Sequence, residues 1–283
     1  MNPSADSSRD RWLEALPDLL DRSATQWRLQ IGQPLQGGFL ARVFACVDTE
    51  GNQLVLKFSP PEVSTALEVA ALGVWAGRGA VSLRACDLPS GALLLDQLIP
   101  GTPLPPAGDR RAIELVAPVL RDLHGVEIPA QHPFPTLPEA FDSYLERVRA
   151  WTEPGAVGVG LLGQSRVAAL RLCSTARQTV LLHGDFLDKN LLFDSTHLVA
   201  IDPMPRVGDP CADIGCFAAS HPPARHIRST ARALAGQLGC DPLRAERWAA
   251  IWFTGEACET WRDDSDELQE WVGSQEVEQL LAL

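Results

Sequence analysis

The spacing of hydrophobic positions changes character along this chain, and each change marks an element. Over residues 11–28, Trp12, Leu13, Leu16, Leu19, Leu20 and Trp27 recur at near-helical intervals around Pro17, which predicts one short helix packed on the body. From Leu29 to Phe58 the pattern turns to strands. Val43-Phe44-Ala45-Cys46-Val47 and Leu54-Val55-Leu56-Lys57-Phe58 flank Asp48-Thr49-Glu50-Gly51-Asn52, a hairpin signal, and a further strand is expected to end near Gln36, before Gly37-Gly38. Pro60-Pro61 opens a helix with Ala66, Leu67, Ala70, Ala71 and Val74 on its apolar side, closed by Gly77-Arg78-Gly79. Apolar runs at Ala80–Leu83 and Ala92–Leu95, separated by Pro89-Ser90-Gly91, complete a five-stranded antiparallel sheet with one inserted helix.

Residues 99–108 are rich in Pro and Gly and mark a boundary, dividing the chain into residues 1–98 and 99–283. Beyond it the pattern is mainly helical. Asp109 is placed to cap a helix running to His124, and further helices are expected over 141–151 and 164–178. The exception is a strand-like region over 179–202, before a C-terminal stretch of Ala-, Arg- and Trp-rich helices. The fold class predicted is therefore α+β.

Composition narrows the function. A net charge of -12 argues against nucleic-acid binding, which needs clustered Lys and Arg to neutralise phosphates. The seven cysteines include no CxxC pair, so neither a zinc site nor a disulfide framework is expected, and free thiols suit a reducing compartment. The N-terminus lacks an apolar signal segment, and no run of about 18 uncharged apolar residues exists to span a membrane. A cytoplasmic protein is expected, free of membrane partners, as a monomer or dimer.

The chemistry is concentrated in Leu181-Leu182-His183-Gly184-Asp185-Phe186-Leu187-Asp188-Lys189-Asn190-Leu191-Leu192-Phe193 and in Leu198-Val199-Ala200-Ile201-Asp202-Pro203. Asp185, past a short apolar run, can take or orient the proton of a substrate hydroxyl. Asn190 offers an amide oxygen suited to magnesium, and Asp202 a carboxylate after a second apolar run. An isolated His-Gly-Asp is ordinary turn chemistry, but these spacings and apolar flanks together fit a site for phosphoryl transfer. In the N-terminal half, Lys57 closes an apolar strand. Glu68 on the next helix is its expected partner, with Glu62 as the alternative, because a carboxylate inside an apolar helix is costly unless paired. Gly37 and Gly38 offer a weak phosphate-loop signal. No Walker-type motif is present.

These segments resemble the kinase-like fold, and within it the aminoglycoside/hydroxyurea phosphotransferases of the streptomycin 6-phosphotransferase type. The resemblance rests on Gly77-Arg78-Gly79-Ala80-Val81, the Leu93-Leu94-Leu95-Asp96 strand leading to Pro100-Gly101, Leu120-Arg121-Asp122-Leu123-His124, the LLHGDFLDKNLLF segment and Leu198 to Gly208. It implies a bilobal protein-kinase-like architecture, with a nucleotide-binding lobe over 1–98 and a catalytic and substrate-binding lobe over 99–283. It also implies an ATP- and Mg2+-dependent enzyme. Asp185 then resembles the catalytic base, Asn190 and Asp202 the metal ligands, and Lys57 the phosphate-binding lysine held by Glu68. Gln97 to Ile99 resembles the hinge whose backbone bonds adenine. Asp213 resembles a buried carboxylate bracing the catalytic loop, which His183 also orients, while His124 is expected to pack at a helix end. The family loop often reads HGDLHHEN, so Phe186, Leu187, Asp188 and Lys189 are departures. Lys189 can either meet the γ-phosphate or face solvent.

Near the C-terminus, Trp252, Glu256, Glu259, Trp261, Asp263, Asp264 and Asp266 combine acidic and aromatic residues. Either they receive a cationic acceptor or they form a solvated helix face with buried Trp. The expected activity is phosphorylation of an aminoglycoside hydroxyl, streptomycin at the 6-position, giving antibiotic resistance. The alternatives are a kinase of hydroxyurea or another small hydroxyl compound, and a nucleotide-binding pseudokinase.

Overall fold

A computed structural model describes residues 3–35, 40–61, 63–104, 110–151, 159–195, 197–220, 226–259 and 275–282. Helix α1 (Pro3–Trp27) precedes strands β1 (Gln30–Pro34), β2 (Arg42–Val47) and β3 (Gln53–Phe58). Helix α2 (Thr65–Trp75) follows, then β4 (Leu83–Asp87) and β5 (Ala92–Asp96). These strands form one antiparallel sheet in the order β1-β2-β3-β5-β4. The sheet is covered on both faces, which is why β3 and β5 read as continuous apolar runs. Leu54, Leu56, Phe58, Ala92 and Leu94 pack under Trp12 and Leu19 of α1, whereas Leu93 and Leu95 join α2 in the main core. Strand alternation therefore turns Lys57 away from α1 and toward α2.

Three local expectations change. Helix α1 is one long helix, with Pro17 inside it on an exposed position. Helix α2 starts at Thr65, after Ser64, rather than at the double proline. The residue before a proline is held out of helical geometry, which delays the start. Residues 80 and 81 do not belong to β4. Ala80 instead forms a parallel bridge with Ala200, through Val81 N–H to the Ala200 carbonyl and Ala200 N–H to the Gly79 carbonyl, each 2.9 Å. The GRGAV segment thus ties the first sheet to the strand that leads into Asp202.

The remainder is mainly helical: α3 (Arg110–His124), α4 (Leu137–Trp151), α5 (Val159–Ser174), α6 (Cys211–Ser220), α7 (Ile227–Leu238), α8 (Pro242–Glu259) and α9 (Gln275–Leu281). Asp109 lies outside the described residues. Helix α4 begins earlier than its apolar pattern, because Thr136 and Glu139 form a cap: the Thr136 N–H and hydroxyl both donate to Glu139 Oε2 at 2.8 Å. Two small sheets lie among the helices. Strands β6 (Pro100–Pro103), β8 (Leu191–Asp194) and β9 (His197–Ala200) run in the order β6-β8-β9, and β7 (Val180–Leu182) pairs with β10 (Arg206–Gly208). At Gly215, α6 and α8 touch backbone to backbone; a Cβ there would sit 2.6 Å from Ala249 N. Among the described residues no helix is long and apolar enough to cross a membrane.

Candidate active site

The loop that carries Asp185, the expected base, leaves β7 at His183. Gly184 takes φ +78°, and a Cβ there would collide with the Met204 carbonyl oxygen and lie 2.7 Å from Arg206 Nε, so only glycine fits this crossing. The crossing is fixed by Met204 N–H donating to the His183 carbonyl at 2.9 Å. A 3-10 turn over Asp188–Asn190 then brings Asn190 back under Asp185. The Asn190 amide nitrogen donates to Asp185 Oδ2 at 2.8 Å and to the Asp185 carbonyl at 2.9 Å. That orientation commits the amide nitrogen to Asp185 and presents the amide oxygen elsewhere.

Asp202 follows β9 in a left-handed conformation, φ 56°, which Asp tolerates better than most residues. Ile201 N–H donates to the Asn190 carbonyl at 2.9 Å, so the Asp202 turn and the catalytic loop are laced together. Lys57 reaches the Asp202 turn from the first sheet. Its Nζ lies 2.7 Å from Asp202 Oδ1, and 2.7 and 2.9 Å from the two oxygens of Glu68. Burial opposes the lysine charge, but the Glu68 and Asp202 carboxylates outweigh it and push its pKa up to about 12. Burial raises the Glu68 pKa against the pull of Lys57, and the charge of Asp202 adds to the rise. The structure thus brings Lys57, Glu68 and Asp202 into one cluster, with Asp185 and Asn190 joined to it through Ile201.

The loop is held from below. Asp213, on the first turn of α6, is 1% exposed. Its Oδ2 accepts from His183 N–H at 2.9 Å and meets His124 Nε2 at 2.9 Å, and its Oδ1 accepts from Gly184 N–H at 3.0 Å. Burial favours the neutral acid, yet the bond and charge of His124 and the Gly184 N–H hold its pKa below the usual carboxylate value. The His183 ring places Nε2 3.0 Å from the Ile201 carbonyl, which can only accept, so Nε2 carries the proton. Nδ1 is buried without a partner among the described residues. Burial lowers the His183 pKa, consistent with a neutral ring. That ring stacks on Trp75, the last residue of α2, at a centroid distance of 6.2 Å, and meets Phe186 edge-on.

His124 does end α3, and it also bonds Asp213 from 89 residues away. That second role has no local signal in the sequence. Lys189 is exposed. Gln97 N–H donates to the Gln53 carbonyl at 3.2 Å. Ile99 N–H donates to Asp194 Oδ1 at 3.2 Å, and the Ile99 carbonyl accepts from Ser195 N–H at 2.6 Å. Gly37, Gly38 and Glu62 lie outside the described residues. On the acceptor side, Trp252 is a core residue. Its Nε1 donates to the Ala212 carbonyl at 3.0 Å, and its ring packs on Phe141, Tyr144 and Trp248, because its face of α8 turns inward. Glu256 and Glu259 lie at the end of α8; Trp261, Asp263, Asp264 and Asp266 lie outside the described residues.

Comparison with known proteins agrees with this geometry. Residues 26–265 match the family described as aminoglycoside/hydroxyurea antibiotic resistance kinase. A hydroxyurea phosphotransferase from Kitasatospora aureofaciens is 31% identical over 249 residues, covering 84% of this chain and 71% of that protein. A streptomycin 6-kinase from Streptomyces griseus is 28% identical over 219 residues, covering 72% of this chain and 66% of that protein. Among solved structures, a choline/ethanolamine kinase family protein from Mesorhizobium loti aligns over 93% of this chain and 98% of its own, with a TM-score of 0.64 and 19% identity. An amicoumacin kinase in complex with AMP-PNP, Ca2+ and Ami aligns over 100% and 96%, with a TM-score of 0.63 and 12% identity. The structural likenesses show the kinase-like phosphotransferase fold, and the sequence match goes further: this chain is a small-molecule kinase and belongs to the aminoglycoside/hydroxyurea antibiotic resistance kinase family.

Proposed function

We propose that the chain transfers the γ-phosphoryl group of ATP to a hydroxyl of an aminoglycoside, streptomycin at its 6-position, and that this inactivation confers resistance. The observation that carries the reading is the 2.7 Å contact of Lys57 with both Glu68 and Asp202, with Asp185 and Asn190 laced to the same turn. Residues 1–98 are assigned to nucleotide binding and 99–283 to catalysis and acceptor binding. Because its donor is ATP, we place the enzyme in the cytoplasm.

In this reading Lys57 holds the α- and β-phosphates while Glu68 fixes the lysine. Adenine meets the segment at Gln97–Ile99. The Ile99 N–H and carbonyl are taken by Asp194 and Ser195, so the free edge falls to the Gln97 carbonyl and to Leu98. Asp185, oriented by Asn190, accepts the proton of the acceptor hydroxyl as its oxygen attacks phosphorus in line. Asp202 and Asn190 suit Mg2+: each offers a hard oxygen, and two protein ligands leave the remaining positions to phosphates and water, as this ion prefers. Bound there, the ion would offset charge on the β- and γ-phosphates. The protein supplies alignment and fixed charge, and no phospho-enzyme is needed.

Hydroxyurea is the second acceptor reading, favoured by the higher identity and coverage of the hydroxyurea phosphotransferase relative. A pseudokinase role is opposed by the convergence of all five polar residues. The test is ATP turnover with Mg2+ across streptomycin, other aminoglycosides and hydroxyurea, with the product read by its phosphate mass gain. Turnover with streptomycin that vanishes in Asp185→Ala is the expected result. Turnover with hydroxyurea alone moves the assignment to the second reading, and nucleotide binding without turnover on any acceptor sinks both.

A further inference from the structure

Of the chain's 24 lysines and arginines only two are lysines, Lys57 and Lys189. The first is the buried clamp described above. The second lies on the loop that carries Asp185, directly before Asn190. We propose that Lys189 is a second phosphate-binding lysine, whose ammonium meets the γ-phosphate of the bound nucleotide. The inference rests on the kinase reading above and adds a contact within it.

The charge of the site calls for such a group. Three carboxylates, Glu68, Asp185 and Asp202, stand in the cluster, and Lys57 is engaged by two of them. Burial favours a neutral His183 ring. Arg206, the guanidinium beside Gly184, is buried and donates from Nε to the Met204 carbonyl. A triphosphate adds negative charge to this surplus, and its γ end carries the largest share. Mg2+ offsets part of that charge. With Lys57 at the α- and β-phosphates, Lys189 is the cation left to serve the γ end from this loop.

Position and chemistry agree. The 3-10 turn over Asp188–Asn190 holds the Asn190 amide nitrogen on the Asp185 carbonyl and carboxylate, at 2.9 and 2.8 Å. The neighbouring Cα atoms of Lys189 and Asn190 are about 3.8 Å apart across their peptide bond. The Lys189 backbone is itself pinned, its N–H donating to Asp188 Oδ1 at 2.7 Å. Side chains in a 3-10 turn succeed one another by about 120°. Asn190 therefore turns inward and is buried, while Lys189 leaves by another side and is exposed. Among the described residues its ammonium has no ion-pair partner. The backbone is fixed beside the base, and the side chain is free to swing onto an incoming phosphate. An ammonium on a flexible four-carbon stem can follow a moving phosphoryl oxygen, whereas the planar fork of arginine favours one geometry. In a chain whose other cations beyond Lys57 are all arginine, a lysine at this place matches that need.

An ATP analogue bearing an acyl group on its γ-phosphate tests the contact in the full-length protein. A lysine amine within reach attacks the acyl carbon, the carbon–oxygen bond to phosphate breaks, and an amide forms as ATP leaves. Trypsin does not cut at an acylated lysine, so Lys189 is read in peptide 178–206 and Lys57 in peptide 43–78, one lysine in each. Lys189 should carry the label, and excess ATP should prevent it. Calorimetric titration with Mg2+ then separates the γ contact from general nucleotide binding. Lys189→Met should weaken ATP about tenfold, the worth of one charge-assisted hydrogen bond, and leave ADP within about twofold. An unlabelled Lys189, a label that ATP does not block, or affinities for ATP and ADP that move together or not at all would each overturn the proposal. Neither measurement needs an acceptor, so a failure of streptomycin as substrate leaves it standing, whereas a wild-type chain that binds no ATP sinks the kinase reading itself.

Discussion

Asp213→Asn tests how the catalytic loop is held. The carboxylate is buried and divides its oxygens among His183 N–H, Gly184 N–H and His124 Nε2 at 2.9, 3.0 and 2.9 Å. An amide has one oxygen, so its NH2 must face one of the two backbone donors. If the oxygen stays with His183 and His124, Gly184 N–H confronts a donor. Leaving one buried N–H without an acceptor costs about 1–3 kcal/mol, and turning two charge-assisted bonds into neutral ones costs about 1 kcal/mol each. The sum is about 3–5 kcal/mol. For a chain of this length roughly 2 °C accompanies each kcal/mol, so the unfolding midpoint should fall by about 6–10 °C. The loop also carries Asp185, and a displacement of about 1 Å there can cost about 100-fold in kcat. The KM for ATP should change far less, because Lys57 and Glu68 do not touch Asp213. Thermal melts and steady-state kinetics on the folded variant check both values. A midpoint within about 1 °C of wild type together with unchanged kcat would show that the loop does not depend on this carboxylate.

Three further perturbations bear on the same region. Gly184→Ala places a methyl group against the Met204 carbonyl in a left-handed conformation, so it should destabilise by about 2–4 kcal/mol in denaturant titration; a neutral result would refute the tight crossing. The lowered His183 pKa sets a pH dependence. The unfolded ring takes up a proton near pH 6.5 and the folded one does not, so stability is full above about 6.5 and falls below it by up to about 1.4 kcal/mol per pH unit. Urea unfolding from pH 7.5 to 5 should show this slope, and His183→Gln should lack it; Asp213, whose pKa is also lowered, contributes only below about pH 3.9. Lys57→Ala removes the cation between two carboxylates and should raise the KM for ATP and lower kcat together, while near-normal kinetics would count against the phosphate site.

What the sequence revealed follows from where the determinants lie. The β2–β3 hairpin was legible because turn residues and apolar runs are adjacent. Lys57 stood out as a single charge in a strand buried on both faces. Asp185, Asn190 and Asp202 were legible because one loop and one hairpin set their spacing. The partnership of His124 with Asp213 was not, since nothing local records a contact across 89 residues. Strand β6 is hidden for a related reason. Pro100–Pro103 shows no alternation and exists because β8 offers it a partner. Gly184 could be seen, but the Met204 carbonyl that demands it could not. For Trp252 the sequence left two readings, contact with an acceptor or a buried ring on a solvated helix, and the helical period carries the ring into the core.

The charge cluster also contains an asymmetry that bears on how the site accepts its nucleotide. One lysine serves two carboxylates. The Glu68 side chain is 5% exposed, and it sits on a helix that cannot retreat easily: the indole of Trp75 at its end donates to the Leu123 carbonyl at 3.1 Å and stacks on His183. The Asp202 side chain is 35% exposed, at the end of a turn that opens toward solvent. Of the two contacts to Lys57, the one to Asp202 is therefore the exchangeable one, and Glu68 keeps the lysine in place when Asp202 changes partner. Because Trp75 rests on His183, and His183 bonds the carbonyl just before Asp202, the helix that carries Glu68 and the loop that carries Asp185 share one mechanical support. In the proposed reading, that shared support would tie the placement of Lys57 and Glu68 to the placement of Asp185.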